Sequence, residues 1–388
     1  MTTVDLDLSA IVAGGDALAR EESGRVVFVR GGLPGDKVRA HIVEQKKDFA
    51  RAEVVEILQP APHRVPVACV HARAGCGGCG WMHSSVDGQR EMKRAVVLDA
   101  LRRTGGIGEP EVSFGPSLPT QGYRTSMRMV VTGDRLALRQ ARSHQTTIID
   151  HCLVAHPLLG EIISDGRFPG MDEVTLRVGV ASGERSVLIL PGITGRRAIL
   201  PAGVKSGPRS IVHETVAGRS FQITATSFFQ TRTDGAEALV QAVSAAAGPL
   251  AGKSFIDAYG GVGLFASTLG GESSVVTIEE NPSSSMDARA NLADRDAVLV
   301  CSPIERWSAT PADVVIADPS RKGLGPAAVD ILTRTKADRL VLVSCDPVAM
   351  ARDAKLLAGK GYDLIESTLI DLFPHTPHIE VVSRFDRR

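Results

Sequence analysis

The C-terminal part of the chain alternates between short apolar runs and segments of helical length. The apolar runs begin after about residue 223 and occupy 254–258, 274–278, 298–301, 314–317 and 340–344. Runs of this length are typical of buried strands. Strands that alternate with helices build a parallel, doubly wound sheet. Residues 223–388 are therefore predicted to form an α/β domain.

The N-terminal part has a different pattern, with β-rich runs close together. These runs cover 25–30, 37–44 and 49–57, and turn residues lie between them at 31–36 and 45–48. Short strands with turn signals predict a small β-barrel over residues 1–59. A proline-containing stretch at 59–62 is the expected linker to the next domain.

Residues 60–222 are predicted to form a central domain that is mostly β. The exception is a helix over 86–103, with Met92, Val96, Ala100 and Arg103 along one face and two glycines after its end. Beyond residue 124, β-like stretches with interspersed arginines continue to about residue 222.

Composition and charge narrow the class of protein. The chain has 388 residues, of which 43% are hydrophobic and 23% charged, and its formal net charge is zero. We expect a cytoplasmic protein without a membrane partner, because no signal peptide and no apolar run of roughly 20 residues is visible. We also expect a monomer. Zero net charge argues against a generally basic nucleic-acid-binding surface but permits a local one. The stretch 25–51 holds seven Lys and Arg against three acids.

Four cysteines have the spacing of a metal site. Cys69, Cys76 and Cys79 lie close together, and Cys152 comes 73 positions after Cys79. Four thiolates bind zinc or an iron–sulfur cluster, and glycines beside them let the chain curl around the metal. The spacing alone does not choose between the two; the alternative is a set of unconnected buried thiols.

A glycine-rich turn follows the first apolar run of the C-terminal domain. The run enters Tyr259, Gly260 and Gly261, and Glu279 ends the next apolar run. Glycines let a ligand approach the backbone, and an acid at the end of the second strand can accept hydrogen bonds from ribose hydroxyls. This combination predicts a nucleotide or S-adenosylmethionine (SAM) site, with NAD less favoured because Ala266 replaces the third glycine of the dinucleotide motif.

Two later apolar runs end in polar residues. Asp318 follows one run and Cys345 follows the next, so both are expected at the carboxyl edge of the sheet. A helix beginning near Pro347 would favour a Cys345 thiolate. Gln230, preceded by two phenylalanines, could contact a nucleobase. Glu380 lies in an apolar tail, where an exposed strand carboxylate is the ordinary interpretation.

These motifs, in this order, resemble the RNA 5-methyluridine methyltransferases. The closer resemblance is to the branch with an N-terminal TRAM domain and an iron–sulfur cluster, which includes bacterial 23S rRNA uridine-C5 methyltransferases. The resemblance covers nearly the whole chain. It implies that residues 1–59 are an OB-like TRAM barrel, that the central region carries a 4Fe–4S cluster, and that residues 223–388 are a Rossmann-like class I SAM methyltransferase domain.

The resemblance also implies roles for single residues. Cys345 matches the nucleophile that attacks uracil, and Glu380 matches the general base. Positions that contact SAM in the family are matched by Gln230, Tyr259, Leu264, Glu279 and Asp318. The cluster ligands are matched by Cys69, Cys76, Cys79 and Cys152, with zinc as the alternative metal. The helix and strand after the first cysteines match at Gln89, Lys93, Leu101, Arg103, Tyr123 and Arg124.

The chain departs from the family pattern at three positions and in one spacing. Ala258 and Gly260 replace a leucine and a cysteine in the glycine loop, and Ser320 replaces the second proline of the Asp-Pro-Pro-Arg motif that begins at Asp318. The gap between Cys69 and Cys76 is slightly longer than the family pattern. The resemblance favours rRNA as the substrate, with tRNA as an alternative. A cytosine-C5 or small-molecule SAM methyltransferase, and an RNA-binding protein without catalysis, are the competing functions.

Overall fold

The computed structural model describes residues 2–190 and 197–388. Residue 1 and residues 191–196, which fall in the predicted first and central domains, lie outside the described residues. Within the described part, no helix is both long enough and apolar enough to cross a membrane.

The N-terminal region is a six-stranded β domain. Its strands alternate small apolar residues, which face inward, with polar residues that face solvent; Ala17, Val27, Val38 and Ala50 are completely buried. Three of the six strands, including the first, were not predicted individually. The strands are β1 (Thr3–Asp7), β2 (Ala10–Ile11), β3 (Ala17–Arg20), β4 (Val26–Arg30), β5 (Lys37–Gln45) and β6 (Phe49–Gln59), in the order β1-β5-β6-β4-β3-β2.

The central region combines a long helix with a second six-stranded sheet. Its helices are α1 (Val70–Arg73), α2 (Val86–Arg103) and α3 (Pro157–Asp165), with a short 3₁₀ turn at Gly77–Cys79. Its strands are β7 (Val112–Phe114), β8 (Ser126–Thr132), β9 (Arg135–Arg139), β10 (Thr146–Ile148), β11 (Glu173–Val178), β12 (Arg185–Ile189) and β13 (Val204–Ser206). The sheet order is β10-β9-β8-β11-β12-β13, so β7 is not part of it.

Helix α2 has the predicted bounds but a shifted inner face. Met92, Val96 and Ala100 are buried as predicted, whereas Arg103 is exposed and pairs with Asp99. Two polar side chains of this helix, Gln89 and Lys93, are completely buried instead. The helix packs against both the N-terminal β domain and the C-terminal domain, so polar groups on this face can reach partners across the interface.

A β-hairpin leads into the C-terminal domain. It consists of β14 (Ile211–Val216) and β15 (Arg219–Thr224). The predicted boundary after residue 222 lies inside β15.

The C-terminal domain is built on the predicted doubly wound sheet, with helices on both faces. Its strands are β16 (Ser254–Ala258), β17 (Ser274–Glu279), β18 (Ala297–Cys301), β19 (Val314–Ala317), β20 (Arg339–Ser344), β21 (Tyr362–Leu369) and β22 (Val381–Arg387). Its helices are α4 (Thr233–Ala247), α5 (Leu264–Leu269), α6 (Pro282–Asn291), α7 (Gly325–Thr333) and α8 (Pro347–Ala358). All five predicted strands are present.

The order of this sheet is β18-β17-β16-β19-β20-β22-β21-β7. Strands β16 to β20 are parallel, whereas β22 runs antiparallel to β20 and β21. Strand β7 of the central region joins the edge of the sheet next to β21. The central and C-terminal regions therefore share backbone hydrogen bonds.

Candidate functional site

The glycine loop lies between β16 and α5, at the carboxyl edge of the sheet. Tyr259 begins the loop with a φ of 61°, and Gly263 ends it with a φ of 86°. A left-handed backbone costs a residue with a side chain about 1–3 kcal/mol, so Tyr259 is held in this shape by its surroundings. A Cβ atom on Gly260 would lie 2.4 Å from Cγ2 of Thr277. Thr277 therefore occupies the space that a side chain at position 260 would need.

Glu279 is attached to this loop. It ends β17 and accepts hydrogen bonds from the backbone N–H groups of Gly261 (3.0 Å) and Asn281 (2.6 Å). Burial nevertheless raises the pKa of Glu279 above its ordinary value. A half-buried acid that is fixed beside a glycine loop is placed to bind a ligand there.

Asp257, on the same strand as the loop, is an acid that sequence reasoning did not single out. It is completely buried and accepts a hydrogen bond from the Ala266 N–H at 3.0 Å, while its Oδ1 has no partner among the described residues. Burial, with the negative charges of Asp318 and Glu279, raises the pKa of Asp257 to about 7. The signal in the sequence was an acid within an otherwise apolar strand.

Asp318, Cys345 and Glu380 meet at the edge of the sheet where β19 and β20 end. Asp318 follows β19 and Cys345 follows the neighbouring β20. Glu380 directly precedes β22, whose first residue, Val381, pairs with Ser344, the last residue of β20. Because the pairing is antiparallel, the next residues outward on the two strands are Cys345 and Glu380. The register thus places them side by side although they are far apart in the chain.

Glu380 is buried, not exposed as the ordinary interpretation of its sequence context held. Its residual exposure is 6%. Burial, followed by the nearby charge of Asp318, raises the pKa of Glu380 well above its ordinary value, and Arg321 acts in the opposite direction. A buried acid with a raised pKa is typical of a group that exchanges a proton during a reaction.

The surroundings of Cys345 favour the protonated thiol, in contrast to the expectation of a stabilised thiolate. Burial is the largest cause, and the charges of Glu380 and Asp318 add to it, so that the pKa of Cys345 rises to about 12. Arg321 lowers it. The helix α8 does begin at Pro347, but its cap is the carboxylate of Asp346, which accepts from the N–H groups of Val348 and Ala349.

The remaining predicted ligand-binding residues lie around the same edge. Leu264 is buried and is the first residue of α5. Gln230 is half-buried in the segment before α4. Of the two phenylalanines before it, Phe229 packs against Phe221, whereas 64% of Phe228 is exposed.

The four predicted metal-binding cysteines line one cavity of about 80 Å³ in the central region. The segments that carry them are tied together, since His71 and Asp150 are in contact at 2.7 Å. Burial raises the pKa values of Cys76, Cys79 and Cys152, that of Cys79 to about 12, and the charges of the other cysteines add to the effect. The thiols are therefore close enough to repel one another as thiolates.

The sulfur atoms are nevertheless spread apart. No three of the four lie within 4.8 Å of one another in the part of the chain that the structure describes. A single tetrahedral zinc ion with Zn–S bonds of about 2.3 Å would hold its sulfurs about 3.8 Å apart. A cluster of several irons holds its thiolates further apart than one ion does. The sulfurs are thus less tightly grouped than the four ligands of one zinc ion.

The chain is similar over nearly its whole length to proteins named as RNA methyltransferases. It is 33% identical to an uncharacterized RNA methyltransferase of Streptomyces coelicolor, over 98% of this chain and 92% of that protein. It is 30% identical to one of Gloeobacter violaceus, over 99% of this chain and 96% of that protein. A family model, the TRAM domain, matches residues 3–55.

The fold is similar to that of a solved enzyme. The crystal structure of Pyrococcus abyssi tRNA (uracil-54, C5)-methyltransferase in complex with S-adenosyl-L-homocysteine has a TM-score of 0.77 and 25% identity. The match covers 98% of this chain and 100% of that one. The expected fold class, a Rossmann-like methyltransferase domain with a small β domain before it, is confirmed.

The electrostatics at Cys345 predict how it reacts with iodoacetamide. Only the thiolate reacts, so alkylation should be slow at neutral pH and accelerate as pH rises. Glu380→Gln removes a neighbouring negative charge and lowers the pKa of Cys345. Alkylation at about pH 9 should then be several-fold faster, since one pKa unit changes the thiolate fraction about tenfold. Mass spectrometry of the peptide that carries Cys345 measures the rate.

The same experiment includes two controls. Glu366→Gln, at an exposed acid on β21, should leave the rate at Cys345 unchanged. The exposed Cys301 reports general changes in reagent access. If Glu380→Gln alkylates at the original rate, Glu380 does not face the thiol.

Proposed function

This chain belongs to the RNA methyltransferase family, and from that premise we propose that it transfers a methyl group from SAM to carbon 5 of a uridine in structured RNA. The observation that carries the proposal is the position of Cys345 and Glu380, each one residue beyond the last pair, Ser344 and Val381, of β20 and β22, at the edge that also carries Asp318 and the glycine loop. Replacing a hydrogen on a pyrimidine carbon requires a nucleophile on one side chain and a base on another nearby.

The residues around the glycine loop fit SAM, which when bound supplies a methyl group on a positively charged sulfonium sulfur. We assign the cofactor site to Gln230, Tyr259, Leu264, Glu279 and Asp318. Glu279 is placed to accept hydrogen bonds from ribose hydroxyls. Asp257, Glu279 and Asp318 have raised pKa values mainly because they are buried, and a cationic ligand would stabilise their charged forms.

Cys345 and Glu380 divide the chemistry at the uracil ring. Carbon 5 of uracil is a weak nucleophile. Cys345 first gives up its thiol proton to solvent; when the resulting thiolate adds to carbon 6, the ring becomes an enolate with electron density at carbon 5, which can then accept the methyl group. Glu380 takes the proton from carbon 5, the bond between sulfur and carbon 6 breaks, and Cys345 leaves as a thiolate.

The RNA would be bound by the TRAM domain and by the arginines of the central region, through salt-dependent contacts to phosphates. The target base has to leave its stack to reach Cys345, which costs a few kcal/mol and favours loops over duplex. We keep rRNA as the proposed substrate and tRNA, on which the similar Pyrococcus abyssi enzyme acts, as the alternative.

We propose that Cys69, Cys76, Cys79 and Cys152 hold a 4Fe–4S cluster. The shared cavity and the wide spacing of the sulfurs support a cluster over zinc. Because the four thiols are buried among one another, they need a positively charged centre to ionise together.

The cluster proposal predicts the metal content. Protein purified without oxygen should be brown and contain about four irons per chain. Cys79→Ser should lose most of the iron and the colour, whereas Cys301→Ser, at an exposed cysteine outside the cavity, should keep both. Iron analysis and visible absorption measure this. Stoichiometric zinc without iron in anaerobically prepared protein would contradict the proposal.

The mechanism predicts different outcomes for the two catalytic residues. Cys345→Ala should bind SAM and RNA but methylate nothing, because no bond to carbon 6 can form. Glu380→Gln should still allow attack and methyl transfer, but the carbon 5 proton cannot leave and elimination stops. A methylated, covalent protein–RNA adduct should accumulate, and denaturing gel electrophoresis with methyl-labelled SAM detects it.

The double variant Cys345→Ala/Glu380→Gln is the matched control and should form no adduct. Cys345→Ala with near-normal turnover would overturn the mechanism. Glu380→Gln with normal turnover would overturn only the assignment of the base.

A further inference from the structure

Glu380 ends an irregular loop. The loop, residues 370–380, connects β21 to β22, and its two ends are joined by a hydrogen bond from the Ile370 N–H to the Glu380 carbonyl at 2.9 Å. His375 lies in the left-handed region with a φ of 67°. A loop that is buried and irregular needs partners from elsewhere for its backbone polar groups.

Four successive carbonyl oxygens of this loop accept hydrogen bonds from outside it. Each donor comes from a different residue, and three of the four donors belong to the central region. The pairs are Arg232 to Leu372 (3.2 Å), Lys93 to Phe373 (2.9 Å), Tyr123 to Pro374 (3.2 Å) and the Trp81 N–H to His375 (2.9 Å). These four donors fix the backbone that leads to Glu380.

Helix α2 supplies further contacts to the loop. Lys93 donates to the carboxylate of Asp371 at 2.6 Å, and the side-chain oxygen of Gln89 accepts from the His375 N–H at 2.5 Å. Both Gln89 and Lys93 are completely buried. A buried ion pair contributes little net stability, so its value lies in fixing one arrangement of the partners.

Trp81 connects the loop to the cysteines and to the N-terminal domain. It is two residues beyond Cys79 in the chain, and its indole N–H donates to the Gly15 carbonyl at 3.0 Å. Its backbone N–H holds His375, five residues before Glu380. The cysteine-bearing turn and the loop that ends in Glu380 therefore meet directly.

We propose that Lys93, Gln89, Tyr123 and Trp81 are positioning residues that hold Glu380 opposite Cys345, so that removal of the carbon 5 proton depends on the cysteine-bearing region. The inference rests on the proposed function. Glu380 acts after methyl transfer, so the central region would take part in the last step of the reaction. Cys345, in contrast, directly follows β20 and is positioned by that strand.

The test separates methyl transfer from release. The variant Lys93→Met/Asp371→Leu removes the buried ion pair without leaving a lone charge, and Tyr123→Phe removes one hydroxyl donor. In a single turnover both should methylate RNA at near wild-type rate but release it more slowly. We expect about a tenfold effect for the double variant and a few-fold effect for Tyr123→Phe, the scale of one or two lost hydrogen bonds. The methylated covalent adduct should accumulate accordingly.

Glu91→Gln, on the exposed face of the same helix, is the control and should release RNA normally. SAM affinity should stay within twofold of wild type in all variants. Normal release in Tyr123→Phe and in the folded double variant would overturn the proposal, and so would a parallel loss of SAM binding, methyl transfer and release. If the wild type makes no 5-methyluridine, the proposed function itself fails.

Hydrogen exchange tests the link to the cysteines without RNA. In Cys79→Ser, the amides of residues 372–376 should exchange at least about tenfold faster than in wild type, because local opening becomes easier. The amides of β19 should be unchanged. Unchanged exchange at 372–376, or a uniform increase throughout the chain, would overturn the coupling.

Discussion

The antiparallel register between β20 and β22 is the constraint on which the candidate site depends. Ser344 pairs with Val381, and this single pairing brings Cys345 and Glu380 together. A slip of one residue would turn Glu380 to the other face of the sheet, because side chains alternate along a strand. The register is fixed by the apolar residues of β22, since Val381, Val382 and Phe385 are buried in the cores on the two faces of the sheet. Core packing thus sets the catalytic geometry.

The second constraint is electrostatic. Asp257, Asp318 and Glu380 lie close together at one edge of the sheet, and each has a raised pKa. The thiol of Cys345 shares this environment, and Arg321 is the cation that opposes the negative charge there. Such a cluster does not favour folding, because buried acids without cationic partners cost free energy. The cluster of acids is consistent with a site that binds a cationic cofactor and exchanges protons at neutral pH.

The sequence predicted those parts of the site that depend on local pattern. The strands before Tyr259, Asp318 and Cys345 are mostly apolar runs, so the carboxyl edge could be located. The burial of Glu380 could not, because it follows from the antiparallel pairing of β22 with β20, a strand far earlier in the chain. Arg103 was assigned to the inner face of α2 by apolar spacing, whereas the interface selected polar Gln89 and Lys93. Long-range contacts, which leave no periodic signal, account for both differences.

The central claim is that this chain methylates carbon 5 of uridine. The most direct measurement is nucleoside mass spectrometry of separated rRNA and tRNA from cells with and without the gene, followed by restoration with the wild-type chain or with Cys345→Ala. The account predicts that one 5-methyluridine disappears from one RNA fraction, rRNA as proposed, and returns only with the wild type. Unchanged 5-methyluridine, or the loss of 5-methylcytidine instead, would contradict it.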